Sequence, residues 1–177
     1  MPIRRIAASA LTTLLLAGTA AAVAQTTAAA APTPPPPTHG IAYLNTQVNL
    51  PNGVWTNTPL QVVLPRAGTY DLDANVRGRL SGAPLINVYI TGRLWNQTTG
   101  AEVPQSERGI YQIIDMNAGS AVTEGNETSP IDEQITVTKP TTIVLQARSI
   151  NAVGAATISQ IYSDGQGYTS LRFNRLW

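Results

Sequence analysis

Over residues 69–80 apolar and polar side chains alternate strictly. Tyr70, Leu72, Ala74 and Val76 fall on one face, and Asp71, Asp73, Asn75 and Arg77 fall on the other. A period of two predicts a strand with one face buried and the other in water or against something polar. After Ser81-Gly82-Ala83-Pro84 a second strand follows. Ile86, Val88, Ile90 and Leu94 form its apolar face, while Asn87, Tyr89, Thr91, Arg93 and Trp95 oppose them. Residues 96–100 predict a turn. Further runs of β-branched and aromatic residues, bounded by Gly, Pro, Asn and Asp, occupy residues 41–50, 60–64, 110–116, 131–137, 141–150, 156–163 and 168–176. The glycines of Asp164-Gly165-Gln166-Gly167 predict a hairpin between the last two. No apolar period of 3.6 is sustained anywhere. About nine short strands at even spacing predict an all-β sandwich, jelly roll or barrel.

Residues 1–24 have the layout of a secretory signal peptide. Arg4 and Arg5 supply the positive end, Leu14, Leu15 and Leu16 lie in the apolar stretch, and Ala22-Val23-Ala24 offers a cleavage site before Gln25. The flanks of the arginine pair fit twin-arginine export poorly. Residues 25–38 are Ala, Pro and Thr in low complexity, with a run from Pro34 to Pro37 that favours extended polyproline II. The bland reading of this stretch is a disordered tail; the functional one is a spacer or a ligand for another domain. Residues 39–177, about 140 in number, are the size of one domain and enough to bury a core without cross-links.

The segment Leu64-Pro65-Arg66-Ala67-Gly68-Thr69-Tyr70 with its alternating continuation resembles the opening of the central strand in jelly rolls of the tumour-necrosis-factor and complement globular-head superfamily. Thr141-Thr142-Ile143-Val144-Leu145-Gln146 is similar to a late strand of those domains. Gly167-Tyr168-Thr169-Ser170-Leu171-Arg172-Phe173 resembles their last strand, which returns to the core. The resemblance implies an antiparallel jelly-roll β-sandwich that forms a compact homotrimer, binds a ligand and performs no chemistry. It places Leu171 and Phe173 in the core beside the first strand. No collagen-like stem precedes the domain, and the superfamily's calcium and receptor residues have no counterparts to carry over.

Charge narrows the partners. Lys+Arg 11 against Asp+Glu 10 gives +1, and loss of the leader would remove two of the positives. Such a chain has no electrostatic grip on nucleic acid, and no polybasic patch for an anionic membrane. A processed chain is expected to insert no segment into a membrane. With no cysteine, disulfides, thiol catalysis and thiolate zinc sites are excluded. The single histidine, His39, adjoins the proline run and reads as solvated linker rather than general base.

Asp71 and Asp73 share a face ~7 Å apart, within the ~5–9.5 Å that glycosidase carboxyls span. Arg77 and Arg79 continue their row, which favours a charge-paired solvent or subunit-contact face over a catalytic dyad. Glu124, Glu127, Asp132 and Glu133 gather in what reads as an acidic loop, the oxygen chemistry calcium takes. No EF-hand spacing accompanies them, so a solvated loop is the plainer reading, and no cofactor is expected. Of Trp55, Trp95 and Trp177, Trp95 lies with Tyr89 and Arg93 on the polar face of its strand. It either stacks on a ligand or is buried against a neighbouring subunit or sheet, and burial is favoured. Trp95, Tyr89, Arg93 and Tyr168 are therefore the candidate ligand or subunit contacts. The sequons at Asn96 and Asn126 read as chance matches in a chain whose leader and single lysine, Lys139, look bacterial.

Two functions follow. The first is an exported binding or cell-surface structural module, secreted or held at the envelope, whose partners are its own copies and an unidentified protein or glycan. The alternative is a carbohydrate-binding β-sandwich or a small glycosidase using Asp71 or Asp73.

Overall fold

The computed structural model describes residues 35–119 and 121–177. The expected signal peptide and most of the low-complexity tail lie outside the described residues. Eleven strands run along the described chain: β1 (His39–Tyr43), β2 (Val48–Asn49), β3 (Thr56–Leu64), β4 (Gly68–Gly82), β5 (Ile86–Asn96), β6 (Ala101–Glu102), β7 (Arg108–Asp115), β8 (Thr123–Val137), β9 (Thr141–Val153), β10 (Ile158–Ile161) and β11 (Ser170–Arg175).

They form two antiparallel sheets. In the first, β1, β11, β4 and β8 lie side by side. β10 continues the β11 edge of β4, and β2 pairs with β10. In the second, β3, β9, β5 and β7 are neighbours, with β6 also paired to β5. Taking the eight principal strands in chain order, the orders are first-eighth-third-sixth and second-seventh-fourth-fifth. That interleaving of the first and last strands is an antiparallel jelly roll.

The alternation of β4 and β5 builds the core directly. Tyr70, Leu72, Ala74 and Val76 face Ile86, Val88, Ile90 and Leu94 across the interior, and all are buried. Leu171 and Phe173 complete the first sheet's inner face, as expected, with β11 seated between β1 and β4. The Phe173 and Tyr70 rings meet edge-on at 5.9 Å, a favoured aromatic geometry. Gly40 makes room for the same ring, since a Cβ there would stand 2.5 Å from its Cε1. At the β3–β4 turn Gly68 has φ +152°, and a Cβ would lie 2.6 Å from both the Arg175 Nε and the Trp177 carbonyl oxygen. The chain end is tied there: Thr69 N–H donates to the Trp177 carbonyl at 3.2 Å, and Leu176 N–H to the Thr69 carbonyl at 2.9 Å.

Several expectations are corrected. His39 is no linker residue but the first residue of β1, opposite Asn174 and exposed. The acidic segment is no loop. It lies within β8, which pairs to β4 through all fifteen of its residues. The Asp164–Gly167 turn forms, with reciprocal backbone bonds of 3.0 and 3.2 Å, yet β10 and β11 do not pair with each other. They lie end to end on one edge of β4. Arg77 has the expected outward direction but is only 6% exposed, because the β10–β11 connection folds over it. Trp177, expected on the face of Leu171 and Phe173, lies past the strand end and is 67% exposed.

Candidate interaction faces

Outward residues of the first sheet can be read as rows across its four long strands. One row is His39, Asn174, Asp71 and Gln134. The next is Ile41, Arg172, Asp73 and Asp132, and the third is Tyr43, Ser170, Asn75 and Pro130. The first two rows and Tyr43 line a groove of about 940 Å³. Its floor is acidic. Asp73 and Asp132 stand directly opposite each other on adjacent strands, where like charges repel. Arg172 on the other side of Asp73 lies 3.7 Å from its carboxylate, and Asp71 accepts a bond from Gln134 Nε2 at 3.2 Å. Three carboxylates thus meet one guanidinium, and among the described residues Asp132 has no cation of its own.

The β1 flank of the groove is apolar. Ile41, Tyr43 and Tyr168 are exposed at 45%, 51% and 61%, and the two tyrosine rings meet edge-on at 5.7 Å. Tyr168 precedes β11 rather than standing in it.

The other candidates lie on the opposite sheet, so the four do not form one site. There Arg93 lies between two indoles, with its Cζ 3.9 Å from the centre of the Trp55 ring and 4.6 Å from that of Trp95. Arg148 covers Trp55 as well, at 4.4 Å. Arg148, Trp55, Arg93 and Trp95 form a cation–π stack on the outer face. Its charges are balanced: Arg93 Nη1 reaches Glu102 at 3.0 Å and Arg148 Nη2 reaches Glu107 at 2.9 Å. Gln146 accepts from Arg93 Nε at 2.8 Å. Trp95 is therefore half-buried beneath its own chain's arginine. Tyr89 stands further along β5, beside a smaller cleft of about 310 Å³ between β7 and β8. Tyr111 lines the same cleft. Burial, with the Glu127 carboxylate nearby, raises its phenol above the usual 10.0.

The four acids once grouped as a calcium candidate are spread along β8. Glu133 alternates to the opposite face from Asp132, and Arg108 of β7 holds it at 2.6 Å. Among the described residues no three His, Asp or Glu side chains converge as a metal cage. Sequence reasoning missed Ile41, Tyr43 and Arg148. The spacing His39, Ile41, Tyr43 carried a signal of period two, but its neighbours depended on strand order.

No protein-family model matches the chain, and no curated protein matches it. Among solved structures it is similar to two of infectious bursal disease virus. The VP2 subviral particle aligns at TM-score 0.46 and 11% identity, over 77% of this chain and 32% of that one. The Gx strain structure aligns at TM-score 0.44 and 12% identity, with the same two coverages of 77% and 32%. The chain spans about a third of the length of these neighbours. At such TM-scores the likeness carries no statement about function.

Proposed function

We propose that the chain is a non-enzymatic structural and binding module, exported to the envelope or beyond, that associates with its own copies as a homotrimer through the outer face of β1, β11, β4 and β8. The observation that carries this reading is the flank of Ile41, Tyr43 and Tyr168, three large apolar side chains left in water beside a concave sheet. A monomer seldom leaves such side chains clustered, and an interface with a polar rim gives them cover. The jelly-roll order, with first and last strands adjacent, is the one the resemblance to tumour-necrosis-factor and complement-head domains implies. Asp71 and Asp73, the catalytic alternative, stand on an open strand face, with Asp73 engaged by Arg172.

A second reading has its own support. Tyr43 and Tyr168 beside Asp71, Asp73, Asn75 and Asn174 offer an aromatic face and planar polar groups, the chemistry a sugar requires. It differs from the less favoured sequence alternative of a Trp95 platform, whose indole is covered by Arg93.

Light scattering on the purified chain separates the two. The self-association reading expects three times the chain mass, falling to one when Tyr43→Asp is introduced, with the thermal midpoint of the isolated domain preserved. A monomer at all concentrations, retained on a glycan surface and released by Tyr43→Ala, would replace it with the sugar-binding reading.

A further inference from the structure

One end of the sandwich is built from three stretches without a single charged residue, at the β4–β5, β7–β8 and β9–β10 junctions: residues 82–85, 116–119 with 121–122, and 152–157. Packing draws them together. Thr157 N–H donates to the Ser81 carbonyl at 2.8 Å, and a Cβ on Gly82 would stand 3.1 Å from the Ala155 carbonyl oxygen. The Thr123 hydroxyl donates to Asp115 at 2.8 Å. Register sets Ile114 and Val153 on either side of Asn87. At this pole Leu85, Ile114, Met116, Val122 and Val153 are between 41% and 60% exposed. The opposite pole differs, with Arg66 and Lys139 in its turns.

Two properties choose the occupant. The five side chains expose on the order of 500 Å², at the top of the ~300–600 Å² range for the largest patch on a monomer. A stable protein–protein contact takes ~800 Å² from each partner, so this tip is too small to hold a second copy. A lipid surface demands neither that area nor a fitted shape. Charge gives the second argument. The ionisable residues that border the tip along the chain, Asp115 and Glu124, are both acidic. Hydrogen bonds from Asn117 and Thr123 hold the Asp115 carboxyl below the usual carboxylate range. An anionic headgroup would be repelled there; a zwitterionic one would not.

We propose that this pole is a peripheral docking tip for a bilayer of zwitterionic lipid. Leu85, Ile114, Met116, Val122 and Val153 enter the interfacial layer, and the acidic pair stays in the water above it. No span is required, since apolar side chains set in the headgroup boundary suffice for reversible attachment.

The chain lacks cysteine, so one introduced thiol can carry a polarity-sensitive fluorophore. The label is placed at Val122→Cys on the tip and, separately, at Lys139→Cys on the far pole, in the full chain. With phosphatidylcholine vesicles, emission at position 122 should shift to the blue while position 139 stays unchanged. Ile114→Asp with Val122→Asp should reduce the vesicle-bound fraction about tenfold relative to the parent, which carries the same leader. Adding phosphatidylserine should not strengthen binding. Vesicle binding with position 122 still in water would overturn the proposal, because the leader alone would then be responsible. A blue shift that grows with protein concentration and needs no lipid would assign the tip to a second copy and overturn it too.

Discussion

Replacing Arg77 by alanine tests how the long strand β4 is fastened to the β10–β11 connection. The guanidinium lies 3.1 Å from the Asp164 carboxylate. It donates to the Tyr162 hydroxyl at 3.2 Å and to Asn126 at 3.4 Å, and its Cζ sits 5.1 Å over the Tyr162 ring. Removing one member of a buried ion pair costs ~3–5 kcal/mol because the other charge is stranded. Here the stranded partner, Asp164, keeps 37% side-chain exposure and can recover water. The expected loss is therefore smaller, ~2–3 kcal/mol. Asp164→Ala strands the guanidinium, whose side chain is only 7% exposed, with two neutral acceptors, and should cost ~2–4 kcal/mol. The double variant should lose less than the two singles together, by a coupling of ~1–2 kcal/mol. Urea unfolding measures all three, provided the slope with denaturant stays constant. The reasoning fails if Arg77→Ala lies within ~0.5 kcal/mol of the parent. It fails equally if the single losses add, for then the backbone bonds of the Asp164–Gly167 turn hold the connection without the ion pair.

Leu72→Ala should destabilise by ~2–5 kcal/mol through lost burial and a residual cavity, whereas Asp73→Ala on the groove face should stay within ~0.5 kcal/mol in the same unfolding assay. Arg93→Ala should uncover the indoles of Trp55 and Trp95, seen as a change in near-ultraviolet dichroism and stronger iodide quenching, with a loss of ~1 kcal/mol. Asp115 prefers its anion in the folded state, so the stabilisation it gives is complete above the ordinary carboxylate value of 3.8 and disappears as pH falls through the lower folded value. Asp115→Asn should therefore be less stable than the parent near neutrality, with the gap closing below pH 3.8.

The parts of the fold that could be read from sequence are those whose evidence is local. In β4 and β5 the alternation is complete, so register, buried face and core membership follow together. β8 fails the same test because Thr123 to Pro130 offers no alternating apolar residues. It is a strand because β4 supplies a partner along its whole length, and its charges and Pro130 suit an edge that must not pair further. Arg77 shows a different limit. Alternation gives its direction but leaves open whether it meets water or something polar; only the β10–β11 connection, some 85 residues later, decides that it is covered. Trp177 carries the converse error, since a period of two was extended past Arg175, where the strand ends.

The two candidate contact regions differ in kind for a geometric reason. Along a strand a given face receives one residue every ~6.6–6.8 Å, so a groove wider than one strand takes its residues from several. The row Ile41, Arg172, Asp73, Asp132 draws on four strands that the chain visits first, last, early and late. No local motif can encode it; only strand order does. The apolar pole is the opposite case. Each of its connections is contiguous, and the stretches Gly82-Ala83-Pro84-Leu85, Ala118-Gly119-Ser120-Ala121-Val122 and Ala152-Val153-Gly154-Ala155-Ala156 already lack charge in the sequence. What sequence does not supply is their convergence at one end, and that follows from two rules of the jelly roll. Antiparallel partners end at the same level, and connections leave the sheets at their poles. A surface made of loops can thus be anticipated from composition once the topology is known, whereas a surface made of a sheet face requires the register as well.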